Sequence, residues 1–84
     1  MPYIPSDRVE VIQSPSDIET SGELNYFLTR VILTYLKKKG LKYATCNDII
    51  GALDCCKEEF RRRVIDPYED LKRSENVDIY NCLK

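Results

Sequence analysis

The sequence predicts an all-α fold: a small helical hairpin or bundle with an N-terminal arm and a kinked C-terminal helix, assembled as an oligomer. Three observations carry that expectation. Two long segments repeat their apolar residues at three- and four-residue steps, the period of a helix. Each opens on a threonine with an acid three residues later, a pattern that starts helices. The chain has only 84 residues, and a core that small rarely supplies more than about 3–5 kcal/mol. A second copy is a cheap source of further burial.

Residues 1–19 read as an arm. Pro2 and Pro5 flank Tyr3 and Ile4, and Ser6 is suited to cap a short helical turn with Asp7 favourable at its start. Ser14-Pro15-Ser16-Asp17 reads as a second turn, with serine as cap and proline at the first helical position. The arm is expected to lie on the body or to reach a neighbouring subunit.

Residues 20–39 form the first strong helix. Thr20-Ser21-Gly22-Glu23 is a capping box, and Gly40 is the residue type most often found just past a helix end. Leu24, Phe27, Leu28, Val31, Tyr35 and Leu36 recur at the helical period. Ile32 and Leu33 widen the apolar sector, and a helix apolar on more than one side needs two partners. Two or more copies are therefore expected to pack through this face. Lys37, Lys38 and Lys39 complement the dipole in the last turn.

A second helix is expected over residues 45–66, capped by Thr45 with Asp48. Ile49, Leu53, Cys56, Phe60 and Val64 give it a core stripe, and Gly51 is small enough to admit another helix. Pro67 removes a helical hydrogen bond and disfavours helical geometry at Asp66. A kink is expected there, with Asp66 capping an extension over residues 67–76. Residues 77–84 alternate weakly and read as a tail.

Composition narrows the function. The 13 basic and 14 acidic residues leave a net charge of −1, without the basic excess usual in nucleic-acid-binding domains. No apolar run reaches the roughly 20 residues that span a bilayer. The start, MPYIPSDR, is unlike a secretory signal. A soluble cytoplasmic protein is expected. Cys46, Cys55, Cys56 and Cys82 show no CxxC spacing and the chain has no histidine, so buried thiols are favoured over a zinc site. No metal and no cofactor is expected. Without histidine the usual base near neutral pH is missing, and catalysis is not expected.

Two clusters are candidate sites. In Lys57-Glu58-Glu59-Phe60-Arg61-Arg62-Arg63, the pairs Glu58–Arg62 and Glu59–Arg63 stand four apart in the favourable order. Arg61 instead stands four from Lys57, an unbalanced basic spot. A solvated helix face explains the run, as does a carboxylate or phosphate site built on the arginine fork. The second candidate is the aromatic and basic stretch Lys37 to Tyr43 with the tyrosines Tyr26, Tyr35, Tyr43, Tyr68 and Tyr80, which either line helix seams or stack a nucleotide ring whose phosphates the basic residues hold.

MPYIP at the start, GELNY at Gly22 to Tyr26, IIGALDCCKEEFRRRV at Ile49 to Val64, PYED at Pro67 to Asp70 and ENVDIY at Glu75 to Tyr80 together resemble a family of short proteins of tailed phages and bacteria. This chain has Val77 where that pattern carries a glycine. The resemblance implies a phage or prophage context, in which small proteins act on host machinery or immunity by binding. The hypothesis is non-catalytic binding of an anionic, nucleotide-like host immune signal in an intersubunit pocket formed by Lys57, Arg61, Arg62, Tyr68 and Tyr26. Calorimetry without heat from any cyclic nucleotide would count against it. The alternative is an adaptor that binds a host or virion protein through a helical face, which a pull-down tests.

Overall fold

The computed structural model describes residues 4–76, all helix, turn or connection with no strand among them. Four α-helices follow in order: α1, Ser6–Val9; α2, Ser21–Lys39; α3, Tyr43–Phe60; and α4, Asp66–Glu75. A 3₁₀ turn, Pro15–Asp17, precedes α2, and a π-helical segment, Arg61–Ile65, joins α3 to α4. The chain divides into two compact units, Met1–Ile49 and Ile50–Lys84.

In the first unit the arm is fastened to α2. Ile12 is fully buried, the one buried hydrophobic residue among those described, and its carbonyl accepts a 2.7 Å hydrogen bond from Nη1 of Arg30. Ser14 and Asp17 close the 3₁₀ turn: Asp17 Oδ2 accepts from the backbone N–H of Gln13 and of Ser14 at 2.9 and 3.0 Å. Ser6 lies inside α1 and Pro5 occupies the cap position, so the serine cap expected there does not form. The backbone bond that starts the turn, from Arg8 N–H to Pro5 O, needs no side chain.

Thr20 caps α2 as its sequence predicts, Oγ1 accepting from Glu23 N–H at 3.1 Å. The reciprocal half of that box is absent, because the Glu23 carboxylate turns to Glu19 N–H and to Arg8 instead. A charged partner draws it more strongly than a neutral backbone donor. Gly40 ends α2 at φ 91°, ψ 152°, a conformation essentially confined to glycine. Helix α3 then begins at Tyr43, two residues before the expected threonine cap. Thr45 is buried inside the first turn, and the Lys42 carbonyl takes the opening bond from Cys46 N–H.

The described part of the second unit is one continuous helix. Pro67 has no N–H and its ring would press on the carbonyl four residues back, that of Arg63. A widened turn absorbs the conflict: Asp66 N–H donates to Arg61 O, five residues back. Asp66 is helical (φ −62°, ψ −46°), and makes no side-chain cap. The helix therefore passes through the predicted break by a π-turn rather than restarting on a cap. Most of the stripe read as core is not buried: Leu53, Cys56, Phe60 and Val64 stand exposed, Phe60 at 56%, and only Ile49 is half-buried; Tyr68 and Leu71, beyond that stripe, are exposed as well. The physical reason is that no second element lies against this helix among the described residues of its unit. Nor does anything approach Gly51, beside which the nearest 4 Å are open. The expected tail over residues 77–84 lies outside the described residues.

Candidate functional site

The arginine run sits on the π-turn, and its pairing differs from the spacing rule. Glu59 takes both neighbours, Arg62 at 2.6 Å and Arg63 at 2.7 Å, while Glu58 makes no ion pair among the described residues. One carboxylate has two oxygens and serves two guanidiniums. These side chains are more than half exposed, so each pair contributes only about 0.3–0.5 kcal/mol. Lys57 and Arg61, one turn apart, have no ion-pair partner among the described residues.

A cleft of about 310 Å³ beside the run is lined by Glu58, Glu59, Arg61, Arg62 and Asp66. An anion entering it would meet three carboxylates and two guanidiniums, one of which Glu59 already neutralises. This is a balanced polar surface rather than a basic pocket. Tyr68 lies in the same unit, where Lys72 Nζ stands over its ring at 5.6 Å. Tyr26 belongs to the other unit, with Arg30 at 5.6 Å from its ring centre. The structure therefore groups Lys57, Arg61, Arg62 and Tyr68 on one helix of one unit, to which Tyr26 does not belong.

The first unit holds an ionic tie that no short spacing announces. Arg8 donates through Nε to Glu23 Oε2 at 2.7 Å, and through Nη2 to Glu23 Oε1 at 2.9 Å and to the Asp17 carbonyl at 3.0 Å. Glu19 adds a longer contact at 3.5 Å. Glu23 is buried and accepts the Glu19 N–H as well. The Arg8 hydrogen bond, then that from Glu19, holds the Glu23 carboxyl down to about 2. The same hydrogen bond raises Arg8 above its ordinary value. Backbone donation from Gln13, then Ser14, lowers Asp17. All these groups satisfy one another, which marks a structural clasp.

A third surface is apolar. Leu24, Leu28, Val31 and Tyr35 follow at steps of four, three and four along α2, exposed at 49, 46, 55 and 38%. At 3.6 residues per turn they lie roughly a third of a turn round from Glu23 and Arg30, the residues that hold the arm. Leu33 is exposed too, whereas Ile32 and Leu36 are half-buried. The sequence joins all of these in one broad apolar sector; the structure separates the part its own chain covers from the part left open.

Among the described residues no group of three or more cysteine or acidic side chains is placed to hold a metal ion, and no helix is long and apolar enough to cross a membrane. A family model, that of a domain of unknown function (DUF6899), matches residues 1–79. No curated protein and no solved structure matches the chain.

Proposed function

The chain belongs to the DUF6899 family, and from that premise we propose that it is a non-catalytic interaction protein, an adaptor that docks an amphipathic helix of another protein on the open face of α2. The observation that carries this reading is the run Leu24, Leu28, Val31 and Tyr35, a helical seam each of whose members is more than a third exposed. A seam at these steps is the surface an apolar helix face packs against. The resemblance to short phage and bacterial proteins supports a host or virion protein as the partner and the host cytoplasm as the place of action.

The test is capture from host lysate with the wild-type chain and with Leu28→Asp and Val31→Asp. One partner retained in stoichiometric amount by the wild type and lost by both variants is the expected result. No such partner, or one indifferent to the variants, defeats the reading. A second copy is the competing cover for this face. In that case the same variants lower the mass of the pure protein, whereas for an adaptor they leave it unchanged.

A second reading, binding of an anionic nucleotide-like host signal between subunits, rests on Lys57 and Arg61, which have no ion-pair partner among the described residues. Titration calorimetry with cyclic dinucleotides and cyclic ADP-ribose variants tests it. Heat that disappears in Arg61→Ala supports it, and absence of heat from the wild type removes it.

A further inference from the structure

The helix from Ile50 to Glu75 carries an exposed apolar stripe whose pattern identifies what covers it. Leu53, Cys56 and Phe60 follow the three-then-four rhythm of a heptad seam. The next seam position would be Arg63, but the apolar residue is Val64, one further on. The π-turn, Arg61–Ile65, takes up that one additional residue. Tyr68 and Leu71 then continue the seam. The steps from Leu53 to Leu71 are three, four, four, four and three, the same read in either direction, with Arg62 at the centre.

We propose that this helix pairs with the same helix of a second copy, antiparallel, about a two-fold axis passing at the π-turn. A two-fold interface is self-complementary, each residue meeting a partner that meets it in return. Here Leu53 falls opposite Leu71, Cys56 opposite Tyr68, and Phe60 opposite Val64. Each layer sets a large side chain against a small one, or two of middle size together, which fills space evenly along the seam. A parallel pairing would stack Phe60 on Phe60 and Tyr68 on Tyr68, and leave Cys56 against Cys56. Along the edges, Lys57 comes beside Ile65 and Glu59 beside Pro67; nearest the axis Arg61 and Arg63 of the two copies come together, a repulsion that Glu59 lessens at Arg63.

The exposed fractions supply the driving force. Leu53 is 38% exposed, and Phe60, Val64, Tyr68 and Leu71 are all above half. A helix with its apolar side in water has little reason to persist, since most helical stability comes from packing. The seam spans 18 residue steps, about 27 Å at 1.5 Å each. Aromatic side chains bury roughly 150–250 Å² apiece; with a little over half of that open on Phe60 and Tyr68, the four rings of a pair contribute about 300–600 Å², to which Leu53, Val64 and Leu71 of both copies add. The proposal uses a different helix from the adaptor face on α2 and stands without it.

Cysteine pairing in the full chain decides the matter. With Cys46, Cys55 and Cys82 replaced by serine, Cys56 alone is expected to give no covalent dimer under mild oxidation. Adding Tyr68→Cys is expected to give a disulfide-linked dimer. Positions 56 and 68 of one helix lie about 18 Å apart, so the bond joins two chains. Leu53→Cys with Leu71→Cys in a background free of other cysteines is a second, independent pair. Light scattering on the unmodified chain should give twice the chain mass, falling to a single chain in Phe60→Asp. A linked dimer through Cys56 alone shows parallel pairing and overturns the proposal. So does a monomer at tens of micromolar, or failure of both cysteine pairs to link.

Discussion

Ile12 is the sharpest place to test how the arm is held. Truncation to alanine removes three carbons from a fully buried side chain. At about 0.8 kcal/mol per buried methylene, transfer alone costs about 2.4 kcal/mol, and the cavity left behind brings such changes to about 2–5 kcal/mol. A core this small holds about 3–5 kcal/mol in all, so the loss is comparable with the whole margin. Two ties to α2 survive the change, the Arg30 bond to the Ile12 carbonyl and the Arg8–Glu23 clasp. They are polar and cannot replace the burial. The expected result of Ile12→Ala is therefore a lowered urea midpoint, faster amide exchange over residues 4–19 and quicker tryptic cleavage after Arg8. Ile12→Val should cost only about 0.5–1.5 kcal/mol. An alanine variant within about 0.5 kcal/mol of wild type, the margin of an inconsequential surface change, with arm exchange unaltered, would refute the view that Ile12 seats the arm.

Gly40→Ala forces a Cβ onto φ 91°, ψ 152°, and should cost about 1–3 kcal/mol in a thermal melt; an unchanged melting point would show that the turn relaxes freely. Gly51→Ala meets open space and lies outside the proposed pairing seam, so a gain of about 0.5–1 kcal/mol is expected from helix propensity. A loss instead would place another helix there. Glu23 has its folded value depressed to about 2 from its usual 4.5. Its contribution is thus fully present above about 4.5 and disappears as pH falls towards 2. Arm amide exchange should accelerate across that window in wild type and depend less on pH in Glu23→Gln, where the lowered Asp17 carboxyl remains. A flat profile in wild type would count against the clasp.

Local signals in the sequence transferred well to the structure. Thr20 and Gly40 bound α2 because cap chemistry is decided by a few adjacent residues. Thr45 misled, since the same T-x-x-D pattern also fits a helix already under way from Tyr43. Pro67 signalled the kink of the C-terminal helix correctly. That a π-turn absorbs it, rather than a restart on an Asp66 cap, depends on whether the chain has apolar residues to keep aligned on both sides, which proline itself does not encode. The Arg8–Glu23 clasp joins residues 15 apart in sequence, and no periodicity relates an arm to a helix. The apolar stripes were legible as apolar, but burial is a property of what lies opposite, and for Leu53 to Leu71 nothing among the described residues of that unit does. The arginine run was read through four-residue pairs, whereas Glu59 also reaches Arg62 at three. That shorter reach leaves Glu58 without an ion pair among the described residues and neutralises Arg62 within the cleft lining.

The widened turn at Arg61–Ile65 has a consequence for how the chain tolerates edits. An ordinary α-helix couples length to phase: dropping one residue between Leu53 and Phe60 swings every later side chain about 100° round the axis. Dropping one within the π-turn lets the helix close to regular geometry with Leu53 and Leu71 still in line. Length there can vary by one without scrambling the remaining turns, as long as the ring of Pro67 finds room against the carbonyl beneath it.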